Sequence, residues 1–292
     1  MIRSMLFLPG NSPGMLMNGD ILGADAIILD LEDAVAPDEK DSARILVRNA
    51  LRDLGFRGCS VAVRINAMDE NGFWQQDLEE VLPLQPDMLI PPKAEDADQI
   101  RELCAAMAKV EDDCGIKEST VKLVPLIETA QGLENAHRIA AAHQRVAGLF
   151  LGAEDLTADL RCARTKEGTE IFYARTRLVA AARAAGIGAY DTPFTDVHDD
   201  EGLLEDARFA KSLGFSGKAA ISPRHVQGIN RVFSPTRAEI DYAHEVLEAI
   251  ETAKAQGKGA ISLYGKMIDA PIVSRARQVL EMHRALEGGA EQ

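Results

Sequence analysis

The 292-residue chain is short of positive charge: 32 Lys and Arg stand against 46 Asp and Glu, a formal net charge of −14. That deficit argues against a nucleic-acid partner, because phosphate backbones are bound by clustered Lys and Arg. An anionic substrate would have to be met by a local cation or a metal rather than by the field of the whole molecule. Cysteine is scarce as well. Cys59, Cys104, Cys114 and Cys162 show no C-x-x-C spacing, and a chain of this length needs no covalent staples, so free thiols in a reducing cytosol are expected. No apolar run approaches the ~20 residues of a membrane span. Near the N-terminus no basic segment leads into a sustained apolar stretch. A soluble, cytoplasmic protein without a membrane partner is the expectation. The chain also lacks a low-complexity linker, and the turn after its first apolar run lacks a full G-x-G-x-x-G, which weakens the case for an open dinucleotide-binding sheet.

What is present is a series of eight short apolar runs, at 5–9, 26–31, 61–66, 88–92, 122–128, 149–153, 187–193 and 218–222. Between them lie segments of helical period or composition, the clearest at 38–54, 94–112, 129–143, 169–185 and 199–213. Gly186 and Gly214 each stand just past a helix and before the next strand. Strands alternating with helices imply a parallel sheet with right-handed crossovers. Eight such units predict a closed (β/α)₈ TIM barrel over 1–232. The remaining 233–292 form a C-terminal helical arm, with one helix over 235–256, an extended piece at 260–265 and a second helix over 272–286. Such an arm either caps the barrel or docks on a neighbouring subunit.

Several apolar runs end in charge. In a parallel barrel the carboxyl ends of the strands converge on one rim, where ligands bind. Glu128 and Asp155 end consecutive strands and would lie side by side there. Two carboxylates with waters and a chelating substrate suit Mg²⁺, a hard cation with octahedral oxygen coordination. The bland reading is that Glu128 caps the next helix and Asp155 is a solvated loop acid. Glu32 and Asp33 close the second run, with Asp30 on the same strand face as Glu32; the cluster can anchor an arginine, bind metal-bound water, or serve only as an ion-pair partner of Arg64 or Lys93. Arg64, near the end of an otherwise apolar strand, is costly to bury unless paired. Its planar fork suits a carboxylate or an enolate oxygen. Lys93 could form a Schiff base, but a metal pair nearby already provides the electron sink. The six histidines share no spacing and read as surface residues, and Met15 and Met17 as packing residues.

Six blocks in order carry a family resemblance: Arg3-Ser4-Met5-Leu6-Phe7-Leu8-Pro9-Gly10-Asn11, Leu29-Asp30-Leu31-Glu32-Asp33-Ala34-Val35, Val63-Arg64-Ile65-Asn66, Leu126-Ile127-Glu128-Thr129, Gly152-Ala153-Glu154-Asp155-Leu156 and Gly265-Lys266-Met267-Ile268-Asp269-Ala270-Pro271. Together they resemble the citrate lyase β-subunit family, which includes citryl-, citramalyl- and malyl-CoA lyases. The resemblance runs from Arg3 to about Arg277. It implies a Mg²⁺-dependent C–C lyase on a TIM barrel, with Glu128 and Asp155 as metal ligands and Arg64 on the keto-acid or thioester oxygens. It implies that Asp269 is an acid lent to a neighbouring subunit, hence a homotrimer or hexamer. The phosphate and adenine groups of a CoA thioester would lie near Arg3, Asn11 and the Ser222-Pro223-Arg224 loop. A citrate lyase α subunit and an acyl carrier protein are the implied partners. Three readings follow: a citryl-thioester lyase acting as a citrate lyase β subunit, a stand-alone citramalyl-CoA or malyl-CoA lyase, and a non-catalytic scaffold that keeps the fold.

Overall fold

The structure, a computed structural model, describes residues 1–69, 71–117, 120–255 and 261–288. All eight apolar runs become strands: β1 (Ser4–Pro9), β2 (Ala26–Asp30), β3 (Ser60–Arg64), β4 (Met88–Ile90), β5 (Lys122–Leu123), β6 (Leu126–Ile127), β7 (Gly148–Leu151), β8 (Gly188–Asp191) and β9 (Gly217–Ala220). Their order in the sheet is β5-β4-β3-β2-β1-β9-β8-β7-β6, with every pairing parallel. β5 and β6 are two halves of one strand, broken at Val124-Pro125. On one side this strand bonds to the fourth, through Val124 N–H to the Leu89 carbonyl and Leu126 N–H to that of Pro91. On the other side its Leu123, Pro125 and Ile127 carbonyls accept from Ala147, Phe150 and Gly152. The sheet therefore closes on itself as an eight-stranded barrel.

The strands read as nearly unbroken apolar runs because both of their faces are covered. Alternate residues point inward: Met5, Ile28, Ala62, Ile90, Leu126, Phe150, Tyr190 and Ala219 pack together as the barrel interior. Their neighbours Leu6, Leu8, Ile27, Leu29 and Val63 are equally buried and face the helical layer. That layer comprises α1 (Pro13–Met17), α2 (Lys40–Asp53), α3 (Phe73–Val81), α4 (Ala97–Cys114), α5 (Ala130–Ala140), α6 (Ala153–Asp159), α7 (Phe172–Ala184), α8 (Asp200–Leu213) and α9 (Pro223–Phe233). Side chains of Asp96, Thr129 and Asp199 cap α4, α5 and α8. Gly186 and Gly214 follow α7 and α8 with φ of 72° and 101°, the left-handed conformation that favours glycine at a helix end.

Four helices go beyond the sequence reading. α1 spans 5 residues, α3 starts at a Phe-Trp pair and spans 9, α6 spans 7, and α9 opens on Pro223. The first three are too short to print a clear helical period. The consequence for the site is that Asp155 lies in the first turn of α6, not in a loop.

The chain divides into two compact units, Ile2–Asn230 and Arg231–Gln292, Met1 grouping with the second. In the second unit α10 (Arg237–Ala255) and α11 (Ala270–Gly288) pack through Ile240, Ala243, Val246, Ala276 and Leu280. The extended piece is the first strand of a hairpin, β10 (Ile261–Leu263) with β11 (Lys266–Ile268), turned at Tyr264 and Gly265, both at positive φ. The sequence stretch 257–259 that ends the first arm helix lies outside the described residues. Among the described residues no helix is long and apolar enough to cross a membrane.

Candidate active site

The carboxyl ends of the strands surround a cavity of about 440 Å³. Its lining mixes apolar Phe7, Pro9, Leu126, Phe150 and Ile221 with polar Asp30, Asp33, Arg64, Glu128, Asp155 and Thr192. Glu154 also lines it, with Arg164 Nε 3.6 Å away.

Arg64, the last residue of β3, is held on three sides. Its Nε and Nη2 donate to the two Asp30 oxygens at 2.7 and 2.5 Å, a bidentate clamp between neighbouring strands in register. Nη1 lies 2.8 Å from Glu32 and 3.5 Å from Asp33, and the guanidinium stands 5.0 Å from the Phe7 ring centroid. Burial works against the charge, but the Asp30 hydrogen bonds and the three carboxylates outweigh it, so the guanidinium stays fully charged. Asp30 also accepts the Glu32 and Ala34 N–H groups, which folds the chain sharply after β2. Lys40 Nζ donates to the Leu31 and Glu32 carbonyls of the same turn. Glu32 itself is buried and braced between Arg64 and Lys93 Nζ (2.7 Å), whereas Asp33 is exposed in the cavity wall. The two acids called together from sequence thus part company: Glu32 holds the arginine, and Asp33 faces the cavity.

Glu128 directly follows β6 and is buried. One oxygen accepts the Lys93 backbone N–H at 2.7 Å, and Lys93 takes a left-handed φ of 50° there. Burial pushes the Glu128 carboxyl up to about 8, and the charges of Glu32 and Asp155 add to the shift, outweighing the Lys93 N–H and Arg64. The carboxylate thus stands in a wall rich in negative charge, without enough positive charge to hold it ionised. A divalent cation held by Glu128 and Asp155 would supply what is missing. The two carboxylates suit Mg²⁺, which commonly takes one or two protein carboxylates and completes its shell with water and substrate. Lys93 does not suit a Schiff base. Burial lowers its pKa, but the Glu32 hydrogen bond and the surrounding carboxylates more than reverse this, so the amine stays protonated.

Other residues singled out in the sequence fall elsewhere. Arg3 precedes β1, and its N, Nε and Nη2 all donate to Asp25 at 2.7–2.8 Å. It lies at the amino ends of β1 and β2, the opposite end of the barrel from the cavity, so the structure does not bring it to the site. Asn11, after the carboxyl end of β1, donates to Glu39 at 2.6 Å. Pro223 is exposed at the start of α9, beside the wall residue Ile221. Asp269 belongs to the second unit, exposed, where its side chain accepts the Ile272 N–H at 3.2 Å ahead of α11. His225 corrects the surface reading of the histidines: it is fully buried, tilted against Phe194 at 6.3 Å, and burial lowers its pKa. Nor are the two methionines core residues: Met15 lines the cavity and Met17 is 65% exposed, while Leu16 between them is buried. Thr192 carried no signal in the sequence and Gly152 only its place in a family block, because their part depends on cross-strand contacts. Gly152 abuts Glu128, and Thr192 Oγ1 accepts the Ala153 N–H at 3.2 Å.

A parallel barrel whose carboxyl-end cavity gathers carboxylates beside a clamped arginine defines an enzyme of the TIM-barrel class. The chain belongs to the HpcH/HpaI aldolase/citrate lyase family, whose model matches residues 3–223, and is a carbon–carbon lyase. It is 42% identical to the citrate lyase subunit beta of Leuconostoc mesenteroides subsp. cremoris over 283 residues, covering 97% of this chain and 93% of the relative. It is 31% identical to the mitochondrial citramalyl-CoA lyase of Homo sapiens, covering 98% and 86%. The crystal structure of Mycobacterium tuberculosis CitE with magnesium, acetoacetate and coenzyme A superposes with a TM-score of 0.78 at 30% identity, covering 96% and 97%. The M. tuberculosis citrate lyase beta subunit with oxaloacetate and magnesium gives 0.67 at 32%, covering 80% and 96%.

Proposed function

We propose that this lyase is Mg²⁺-dependent and cleaves a β-hydroxyacyl thioester, converting a citryl thioester to oxaloacetate and an acetyl thioester as a citrate lyase β subunit. The observation that carries the reading is Glu128 and Asp155 facing the same cavity as the clamped Arg64, in a chain so close to a citrate lyase subunit beta. Glu128 and Asp155 would hold Mg²⁺, which when bound would supply Lewis-acid polarisation of a substrate oxygen. Arg64, fixed by Asp30 and Glu32, needs no reorganisation to offset negative charge developing on the thioester oxygen. Asp33, exposed in the wall, accepts the hydroxyl proton as the C–C bond breaks. Asp269, lent by a neighbouring subunit of a homotrimer or hexamer, returns a proton to the enolate carbon. Asn11 and the Ser222-Pro223-Arg224 loop, at the carboxyl rim, receive the thioester carrier; Arg3 has no part in this. The reading includes a cytoplasmic location, and an α subunit and an acyl carrier protein as partners.

The test is to incubate the purified protein and Mg²⁺ with citryl-, citramalyl- and malyl-CoA and measure the released keto acid. Oxaloacetate from citryl-CoA, abolished by EDTA, is expected; cleavage of none of the three would leave the scaffold reading. The second lyase reading, a stand-alone citramalyl-CoA lyase, is favoured by the identity to the human enzyme across 98% of the chain. Pyruvate released faster than oxaloacetate would select it.

A further inference from the structure

Thr192 follows β8 and stands in the cavity wall, almost fully buried. Its Oγ1 accepts the N–H of Ala153, the first residue of α6, and the first turn of α6 carries Asp155. The residue before the helix, Gly152, offers no side-chain cap. A helix start leaves its first N–H groups without internal partners, and here one of them is tied to a residue at the end of the next strand.

Thr192 is itself held from behind. Lys218 on β9 donates its Nζ to the Thr192 carbonyl at 2.6 Å and to Asp191 Oδ2 at 2.7 Å, and stands 2.6 Å from Asp206 Oδ2. Two of these contacts are hydrogen bonds, and the third, to Asp206, is an ion pair. Arg175 on α7 donates to both Asp191 oxygens and to Asp206 at 2.7–3.0 Å. Two cations and two anions cancel, and Arg175, Asp191 and Lys218 are fully buried. Buried ion pairs contribute little net stability compared with well-packed apolar residues. Four such groups behind a single threonine act on geometry.

We infer that Thr192 is a positioning residue for the divalent-cation site: its hydroxyl, anchored through Lys218, fixes the first turn of α6 and with it the direction of Asp155. The inference rests on the reading of Glu128 and Asp155 as metal ligands. The experiment is calorimetric titration of the full chain with MgCl₂ in the absence of substrate, beside thermal unfolding. Thr192→Val keeps the shape and loses the acceptor, and should weaken Mg²⁺ binding roughly three- to tenfold, the effect of one hydrogen bond. Thr192→Ser restores the hydroxyl and should bind within about twofold of wild type on the same grounds. Ala153→Pro removes the donor instead, at a first helical position where proline is tolerated; it decides the matter if Thr192→Val does not fold. Its effect should match that of Thr192→Val, and the double variant should be no weaker than either, the signature of one shared contact. A fall in unfolding temperature with Mg²⁺ affinity unchanged would overturn the inference. The ligand reading would survive that result if Glu128→Gln had lost Mg²⁺, whereas Mg²⁺ bound normally by Glu128→Gln would remove both.

Discussion

A Cβ placed on Gly152 would lie 2.5 Å from Glu128 Oε2 and 2.7 Å from Glu128 Cβ. The backbone of Gly152, at φ −100° and ψ 93°, is open to any residue. Glycine is therefore required here by space and not by dihedral angle. The buried carboxylate of one strand occupies the place where the next strand would otherwise carry a side chain, and this puts Glu128 beside the helix start that bears Asp155.

Gly152→Ala should consequently act on the metal before it acts on the fold. The methyl group must push Glu128 aside, an overpacking cost of about 1–3 kcal/mol. Mg²⁺ affinity measured by calorimetry should fall by roughly an order of magnitude, since metal geometry tolerates little displacement of a ligand. Unchanged affinity would mean that Glu128 is not a ligand in this position.

Glu128 also sets a pH dependence. Burial, reinforced by Glu32, pushes its carboxyl up to about 8 from an ordinary 4.5. The folded protein therefore keeps this proton over a range where the unfolded chain has lost it. The resulting stability is full below pH 4.5 and is lost as the pH rises through about 8. Mg²⁺ needs the carboxylate and competes with that proton. Affinity should climb from pH 6 to pH 8, by at most about tenfold per unit, and level off above. Near pH 6.5, titrations in buffers of different ionisation enthalpy should show about one proton released per Mg²⁺ bound. Glu128→Gln should bind at least about tenfold more weakly, with the slope gone. A flat wild-type profile would show that Glu128 is already ionised before the metal arrives.

Arg64→Lys keeps the charge but loses the two-point grip on Asp30. The loss of a donor preorganised for the transition state predicts a fall in kcat of roughly 10²–10³. Stability should drop by about 2 kcal/mol, the scale of a hydrogen bond to a charged group. Circular dichroism would show the fold intact. Activity retained beside that loss of stability would confine Arg64 to pairing Asp30 and Glu32.

The barrel was legible because every strand is short, apolar and buried on both faces. Even the strand broken at Pro125 stands out, since the break leaves the run 122–127 apolar outside Lys122 and Pro125. The strand-end charges Asp30, Glu32, Arg64 and Glu128 were legible for the same reason: a charge closing such a run has one rim to face. Arg3 misled because it precedes its strand and so belongs to the other end. α1, α3 and α6 were missed because 5 to 9 residues give too few turns for periodicity to register, whereas α9 was missed although it is as long as the legible α5. The Lys93–Glu32 ion pair was legible, but the contacts of Gly152 and Thr192 and the bond from the Lys93 N–H to Glu128 were not. Each of these three joins residues 24 to 39 apart in sequence, and no pattern along the chain records it.

Asp269 brings two roles into competition. Its side chain accepts the Ile272 N–H at 3.2 Å, so it caps α11 whatever else it does. Asparagine caps a helix about as well as aspartate, while alanine costs roughly 0.5–2 kcal/mol. Asp269→Asn therefore separates the roles: with the cap kept, unfolding temperature should hold and kcat should collapse if the acid delivers the proton. A cap alone predicts the reverse, normal kcat in Asp269→Asn and lost stability in Asp269→Ala. Whether the acid works in a neighbour's site is settled by mixing inactive Asp269→Asn with inactive Glu128→Gln protein. When subunits exchange, some mixed oligomers hold a cavity with Glu128 intact beside a donated intact Asp269, and activity should partly return. No recovery, with exchange demonstrated by mass spectrometry of differently tagged subunits, would place Asp269 in its own subunit's site or outside catalysis.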